Sequence, residues 1–143
     1  MSALVSTYKI LKEHNLIVEY HSGIVDLISF INFKQKIALD PLFSPNLHFF
    51  VHLKNVSFNT NSEDIDKYVK FLETNYNVYG NRRVALITNT PNQVVSTTMF
   101  KMMQQNTSQS VEIFSTNESA LQWLNRNLNK DVILAVLAKL MII

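Results

Sequence analysis

Apolar and polar positions change their spacing several times along the chain, and each change marks an element. Tyr8-Lys9-Ile10-Leu11-Lys12 and Leu16-Ile17-Val18-Glu19-Tyr20-His21 are two short apolar-rich runs divided by Glu13-His14-Asn15. The second run alternates Leu16, Val18 and Tyr20 against Ile17, Glu19 and His21, so the pair predicts a β-hairpin that Ser22-Gly23 ends. From Asp26 to Leu39 the spacing becomes helical. Leu27, Ile28, Phe30, Ile31, Phe33, Ile37 and Ala38 make a wide apolar face, interrupted by Lys34, Gln35 and Lys36, as in a helix packed on a sheet. The loop Asp40-Pro41-Leu42-Phe43-Ser44-Pro45-Asn46 cannot continue that helix, because proline lacks the amide and its ring clashes with the preceding turn.

Leu47 to Leu53 alternates again, with Leu47, Phe49, Val51 and Leu53 on one parity and His48 and His52 flanking Phe50 on the other. A polar connection from Asn55 to Asn61 leads to Ser62-Glu63-Asp64, read as an N-cap followed by acids in a first helical turn. Ile65, Tyr68, Val69 and Leu72 continue at helical spacing, and this helix should end near Asn75. The run Arg82-Arg83-Val84-Ala85-Leu86-Ile87-Thr88-Asn89-Thr90-Pro91 comes next. Its unbroken apolar stretch predicts a strand covered on both faces, with Thr90 as N-cap and Pro91 in the first turn of the following helix. That helix, Pro91 to Gln105, should turn Val94, Val95, Thr98, Met99, Met102 and Met103 inward. Val111-Glu112-Ile113-Phe114 is a last short strand. Ser115-Thr116-Asn117-Glu118 then has capping-box spacing, Ser115 at N-cap and Glu118 at N3, and opens a helix through Leu121, Trp123, Leu124 and Leu128.

The order is ββαβαβαβα plus an apolar C-terminal helix. Helical crossovers force parallel pairing of the later strands, so the expected fold class is α/β: a mixed, mostly parallel five-stranded sheet covered by helices. With 143 residues and no internal repeat or linker, the expectation is a single domain over 1–143, its core spanning 7–128 and its apolar extension 131–143.

Composition narrows the chemistry. Hydrophobic residues make up 47% and charged residues 17%, which excludes a disordered chain. Gly23 and Gly80 are the only glycines, so a glycine-rich phosphate loop is absent. A formal charge of +2, with basic residues scattered, argues against nucleic acid as a partner. Without cysteine there is no disulfide frame, thiolate metal site or cysteine nucleophile. The first residues lack a basic stretch followed by an apolar core, so no signal peptide is read and a cytoplasmic location is expected.

Several segments in this order resemble the SpoIIAA-like group of the STAS superfamily, small α/β domains related to bacterial anti-sigma-factor antagonists. The residues that carry the likeness are the early strand pair, Asp40-Pro41-x-Phe43-x-Pro45-Asn46, Ala85-Leu86-Ile87-Thr88-Asn89-Thr90-Pro91, and Val111-Glu112-Ile113-Phe114-Ser115-Thr116-x-Glu118-x-Ala120-Leu121-x-Trp123-Leu124. It covers residues 7 to about 128. The resemblance implies a mixed sheet with helices on its faces, no enzyme activity, and use as a protein-interaction or ligand-sensing module. Antagonists of the superfamily carry an Asp-Ser-Ser-Gly-like sequence after the third strand, where a serine is phosphorylated. Here that region reads Lys54-Asn55-Val56-Ser57-Phe58 and then Ser62-Glu63-Asp64; the motif is absent, and Ser57 and Ser62 are the candidate phosphorylation sites in its neighbourhood.

Other candidate sites follow from position. Thr88, Asn89, Thr90 and Asn92 gather hydroxyls, amides and free helix N–H groups at the end of a parallel strand, where a small anion can bind; the plainer reading is that Thr90 caps its helix. His48 and His52 share a strand face, but their Cα atoms lie about 13 Å apart, too far for one metal ion. No serine elbow or converging acid pair is apparent, so no catalytic residue, metal or cofactor is assigned. As a helix, Val132 to Ile143 spans about 18 Å, short of the roughly 30 Å hydrocarbon core, so no transmembrane segment is read. Its apolar residues are expected to pack on the parent domain or on a symmetric subunit, with a peripheral membrane contact as the alternative, and Val132, Val136, Leu137 and Leu140 are the candidate interface of a homodimer. The functional expectation is a non-enzymatic regulatory module with a protein partner. The alternatives are a carrier or sensor of a lipophilic small molecule, which needs a closed apolar cavity of several hundred Å³, and a hydrolase.

Overall fold

The structure, a computed structural model, describes residues 2–75 and 80–142. Strands β1 (Val5–Leu11) and β2 (Leu16–Val25) form the antiparallel hairpin, joined through a short 3-10 turn and Asn15 in the left-handed region, which asparagine tolerates. Then follow α1 (Leu27–Ala38), β3 (His48–Phe58), α2 (Ser62–Thr74), β4 (Arg83–Ile87), α3 (Pro91–Met103), β5 (Ser110–Phe114), α4 (Asn117–Leu124) and α5 (Lys130–Leu140). The sheet order is β1-β2-β3-β4-β5, and every pair after the first is parallel. The ββαβαβαβα order and the mixed, mostly parallel five-stranded sheet are those the pattern predicts.

Topology decides what covers each face. The strands from β2 onward advance in one direction across the sheet, and right-handed crossovers then place α1, α2 and α3 on the same face. On that side Phe49, Val51 and Leu53 of β3 meet Phe33 and Ile37 of α1, with Phe30 and Phe100 at the margin. The opposite face is left to whatever follows β5. There α4 supplies Ala120, Leu121 and Leu124, and α5 supplies Ile133 and Leu137, against Leu16, Val18, Phe50 and Ile87. The apolar tail is thus a cover for its own sheet: Ile133 is fully buried and Leu140 accepts a hydrogen bond at its carbonyl from Thr7 Oγ1.

Several boundaries differ from the sequence expectation. β2 does not end at Ser22-Gly23; a register shift between Tyr20 and Ser22 carries the strand on to Val25. Gly23 has φ +98°, and a Cβ there would lie 2.4 Å from the Ala3 carbonyl oxygen, so glycine lets the N-terminal segment pair with Ile24. β3 runs through Asn55 to Phe58, since its later residues pair with β2. Asn61, not Ser62, caps α2: its side chain accepts from Asp64 N–H while the Asp64 carboxylate accepts from Asn61 N–H. Thr116, not Ser115, caps α4, which stops at Leu124, short of Leu128.

The largest correction concerns α3. Val94, Val95, Thr98, Met102 and Met103 face outward, and the buried residues are Gln93, Ser96 and Thr97. Gln93 explains the inversion. Its Oε1 accepts from the N–H groups of Asn89 and Thr90, and its Nε2 donates to the carbonyls of Lys54 and Val56 at the end of β3. Four bonds from one buried carboxamide fix which side of the helix meets the sheet.

Candidate functional site

Two features of the α1–α3 side stand apart from ordinary packing: a chain of buried polar groups and a cavity beside it. β2 is an interior strand covered on both faces, so the parity Ile17, Glu19, His21 lies inside the protein, and its polar members need partners there. Lys34, placed by α1 above them, donates to Glu19 Oε2 at 2.5 Å. Glu19 Oε1 lies 2.8 Å from His21 Nε2, and His21 Nδ1 lies 2.7 Å from the Oγ of Ser6, its direct cross-strand neighbour on β1. Burial opposes ionisation of Glu19, but the Lys34 charge and the hydrogen bonds from His21 and Lys34 outweigh it and hold the carboxyl at about 2. An ionised Glu19 only accepts, which puts the His21 proton on Nε2 and leaves Nδ1 to accept from the Ser6 hydroxyl. Burial keeps the His21 imidazole neutral, the pull of Glu19 only partly opposing it.

Serine, histidine and glutamate in hydrogen-bonded sequence are the residue types of a nucleophilic triad. Here the imidazole is fully buried between the rings of Phe30 and Phe33, with centroids 5.3 and 5.1 Å away. No reactant reaches the base, and burial weakens it. The chain ties β1, β2 and α1 together. Sequence reading missed it by counting Lys34 among the polar interruptions of α1 and Glu19 and His21 as one parity of a hairpin. The available signal was a Glu and a His two apart on a strand that the βαβ order places in the sheet interior.

The cavity, about 90 Å³, lies between α2 and the sheet. Phe30, Phe49, Leu53, Ile65, Leu86 and Phe100 are among its apolar walls. Two buried cations, Lys34 and Arg82, also line it. Lys34 Nζ is 4.5 Å and Arg82 Cζ 4.4 Å from the centroid of the Phe49 ring. Arg82 also donates to Gln109 Oε1 at 3.0 Å. Burial lowers the Arg82 guanidinium to about 10, with Tyr68 and Glu19 acting in the opposite sense, while Tyr68 is pushed upward by burial and the Glu19 charge. The half-exposed Asp26, Thr60 and Asp64 complete its polar lining on the α1 and α2 side. The two aspartates are engaged in capping α1 and α2, and Thr60 Oγ1 is buried without a hydrogen-bond partner among the described residues. The volume is well below the several hundred Å³ that a carrier of a lipophilic molecule needs.

The remaining candidates are scattered. Thr88 is buried at the end of β4, its N–H donating to the Phe114 carbonyl. Thr90 caps α3, while the loop amides of Asn89 and Thr90 point at Gln93 Oε1, so the groups proposed to hold an anion are engaged within the chain. Asn92 clamps the end of β3, its Oδ1 accepting from Phe58 N–H at 2.7 Å and its Nδ2 donating to Phe58 O at 3.2 Å. Ser57 is half-buried in β3 opposite Ile24; Ser62 is exposed in the first turn of α2. Of the candidate interface, Leu137 is buried in its own chain's core, Val136 and Leu140 are half-buried against that core, and Val132 is exposed. The covering of α5 by its own sheet removes the reason for which a second subunit was invoked. Among the described residues no group of three or more His, Asp or Glu side chains is placed to hold a metal ion, and no helix is long and apolar enough to cross a membrane.

No family model matches the sequence, and no curated protein matches it. Solved structures do resemble it. An uncharacterised protein of Shewanella loihica described as having a SpoIIAA-like fold aligns with a TM-score of 0.54 and 16% identity, over 87% of this chain and 98% of the other. An anti-sigma factor antagonist from Mycobacterium paratuberculosis aligns with a TM-score of 0.55 and 12% identity, over 85% of this chain and 94% of the other. The chain therefore has a SpoIIAA-like α/β fold.

Proposed function

We propose that this protein is a non-enzymatic regulatory module that binds a partner protein through the outer face of α3. The observation that carries the reading is the exposure of that face. Val94, Val95 and Met102 are 44%, 60% and 65% exposed, and they stand on a helix whose inner side is fastened by polar bonds. Apolar side chains left in water on a well-anchored helix are favoured where a partner covers them, and methionine adapts to irregular partners. The fold shared with an anti-sigma factor antagonist supports the same reading. The buried, ring-enclosed imidazole of His21 supports a non-catalytic role.

The test is a paired purification from the native cell, using wild type and the double variant Val95→Asp/Met102→Asp, with circular dichroism to verify that both are folded. A protein retained by the wild type and lost from the variant supports the assignment. Identical retention by both refutes it. Light scattering on the same samples identifies a second copy of the chain as the partner if the wild type is dimeric and the variant monomeric.

A further inference from the structure

We infer that the cavity beneath α2 binds a small neutral alcohol, its alkyl body held against the phenylalanine and leucine walls. Ser96, Thr97 and Phe100 line this space from the inner side of α3, whereas the partner face is the outer side, so the two readings stand or fall independently.

The walls select an alkyl body. Phe30, Phe49, Leu53, Ile65 and Leu86 offer water no hydrogen-bonding side chain, and each wall left facing a void forfeits dispersion contacts that a hydrocarbon restores. Size sets the length. At about 90 Å³ the hollow is smaller than the roughly 150 Å³ apolar cavity that accepts benzene in another protein, so a body of about four carbons suits it.

Charge selects a neutral occupant. Among the described residues, four charged side chains line the cavity, and they are two of each sign: Asp26 and Asp64 against Lys34 and Arg82. All four are already engaged. Asp26 and Asp64 cap their helices, Lys34 donates to Glu19, and Arg82 donates to Gln109 Oε1 and to the Pro45 carbonyl. Neither an acid nor an amine therefore meets a group held in reserve for it, and each would face a like charge after giving up its water. An alcohol gives up much less. Asp26 and Asp64 are half-exposed, so a hydroxyl beside them stays hydrated or donates to a carboxylate oxygen.

The experiment is titration of the full chain at neutral pH, followed by amide NMR shifts, with n-butanol, methanol, butanoate and butylammonium. Butanol should shift amides of α2 and α3 saturably with a Kd below about 10 mM, and the other three should bind at least about tenfold more weakly. Ser96→Leu, which fills the cavity from α3 without altering a charged group, should weaken butanol at least about tenfold. Should that variant fail to fold, the wild-type series alone remains decisive. Butanoate or butylammonium binding within tenfold of butanol would overturn the selection for a neutral ligand, and methanol doing so would overturn the role of the walls. A Kd for butanol above about 10 mM, or an unchanged affinity in folded Ser96→Leu, would overturn the site itself.

Discussion

Lys34→Met isolates the buried ion pair between Lys34 and Glu19. The substitution keeps an unbranched apolar stem of similar reach, so contact with Phe30, Phe33 and Phe49 is largely retained. What it removes is the cation beside Glu19, a carboxylate with no exposed surface whose remaining partner is a neutral imidazole. Removing one partner of a buried ion pair typically costs about 3–5 kcal/mol, because the other charge is left in a medium that cannot solvate it. Replacing both groups is far cheaper, so Glu19→Gln/Lys34→Met should recover at least about 2 kcal/mol of that loss.

The pH dependence supplies an independent check. In the wild type Glu19 sits at about 2 against an ordinary 4.5, so its stabilising contribution is complete above pH 4.5 and is lost as pH falls from 4.5 to about 2. Without Lys34, burial pushes the carboxyl upward instead. A raised acid destabilises increasingly as pH climbs above 4.5, so the deficit of Lys34→Met should be larger at pH 7 than at pH 4.5. Equilibrium urea unfolding, followed by the single tryptophan, Trp123, and by circular dichroism, measures all four members of the cycle. A loss below about 1 kcal/mol for Lys34→Met, or a double variant that loses the sum of the singles, would refute the picture of a desolvated, mutually dependent pair.

Three further outcomes are expected. His52 is held at about 4 by burial and the Lys54 charge, and its Nδ1 is buried without a hydrogen-bond partner among the described residues; stability should therefore fall as pH drops from 6.5 toward 4. His52→Phe should remove about 2 kcal/mol of that dependence, with His21 supplying a remainder of the same sign, and an unchanged slope in urea midpoints against pH would contradict the assignment. Ile133→Ala should cost about 2–4 kcal/mol in the same assay, and deleting residues 131–143 should expose Leu16 and Val18 and produce a chain that binds ANS or aggregates; a soluble, fully cooperative deletion variant would contradict the role of α5 as a cover. Asn92→Ala removes both bonds to the Phe58 backbone and should cost about 1–2 kcal/mol, whereas a loss indistinguishable from zero would show that the clamp is replaced by water.

What the chain could say by itself was local or topological. Thr90 before Pro91, the unbroken run Val84 to Ile87 and the alternation of Phe49, Val51 and Leu53 specify a cap, an enclosed strand and a half-sheet through short-range sterics and hydrogen bonding. The order of elements then allowed few arrangements, because crossovers are right-handed and short. Tertiary structure decided what could not be local. The pattern on α3 announces an apolar side, but periodicity is silent about whether sheet or solvent meets it, and four hydrogen bonds from Gln93 settled the matter for solvent. Lys34 looks like any surface lysine until β2 places Glu19 beneath it, and Arg82 looks like half of a basic pair until Phe49 and Gln109 enclose it. Burying a charge depends on partners that are remote along the chain, so only the assembled sheet and its helices could reveal which charges are inside.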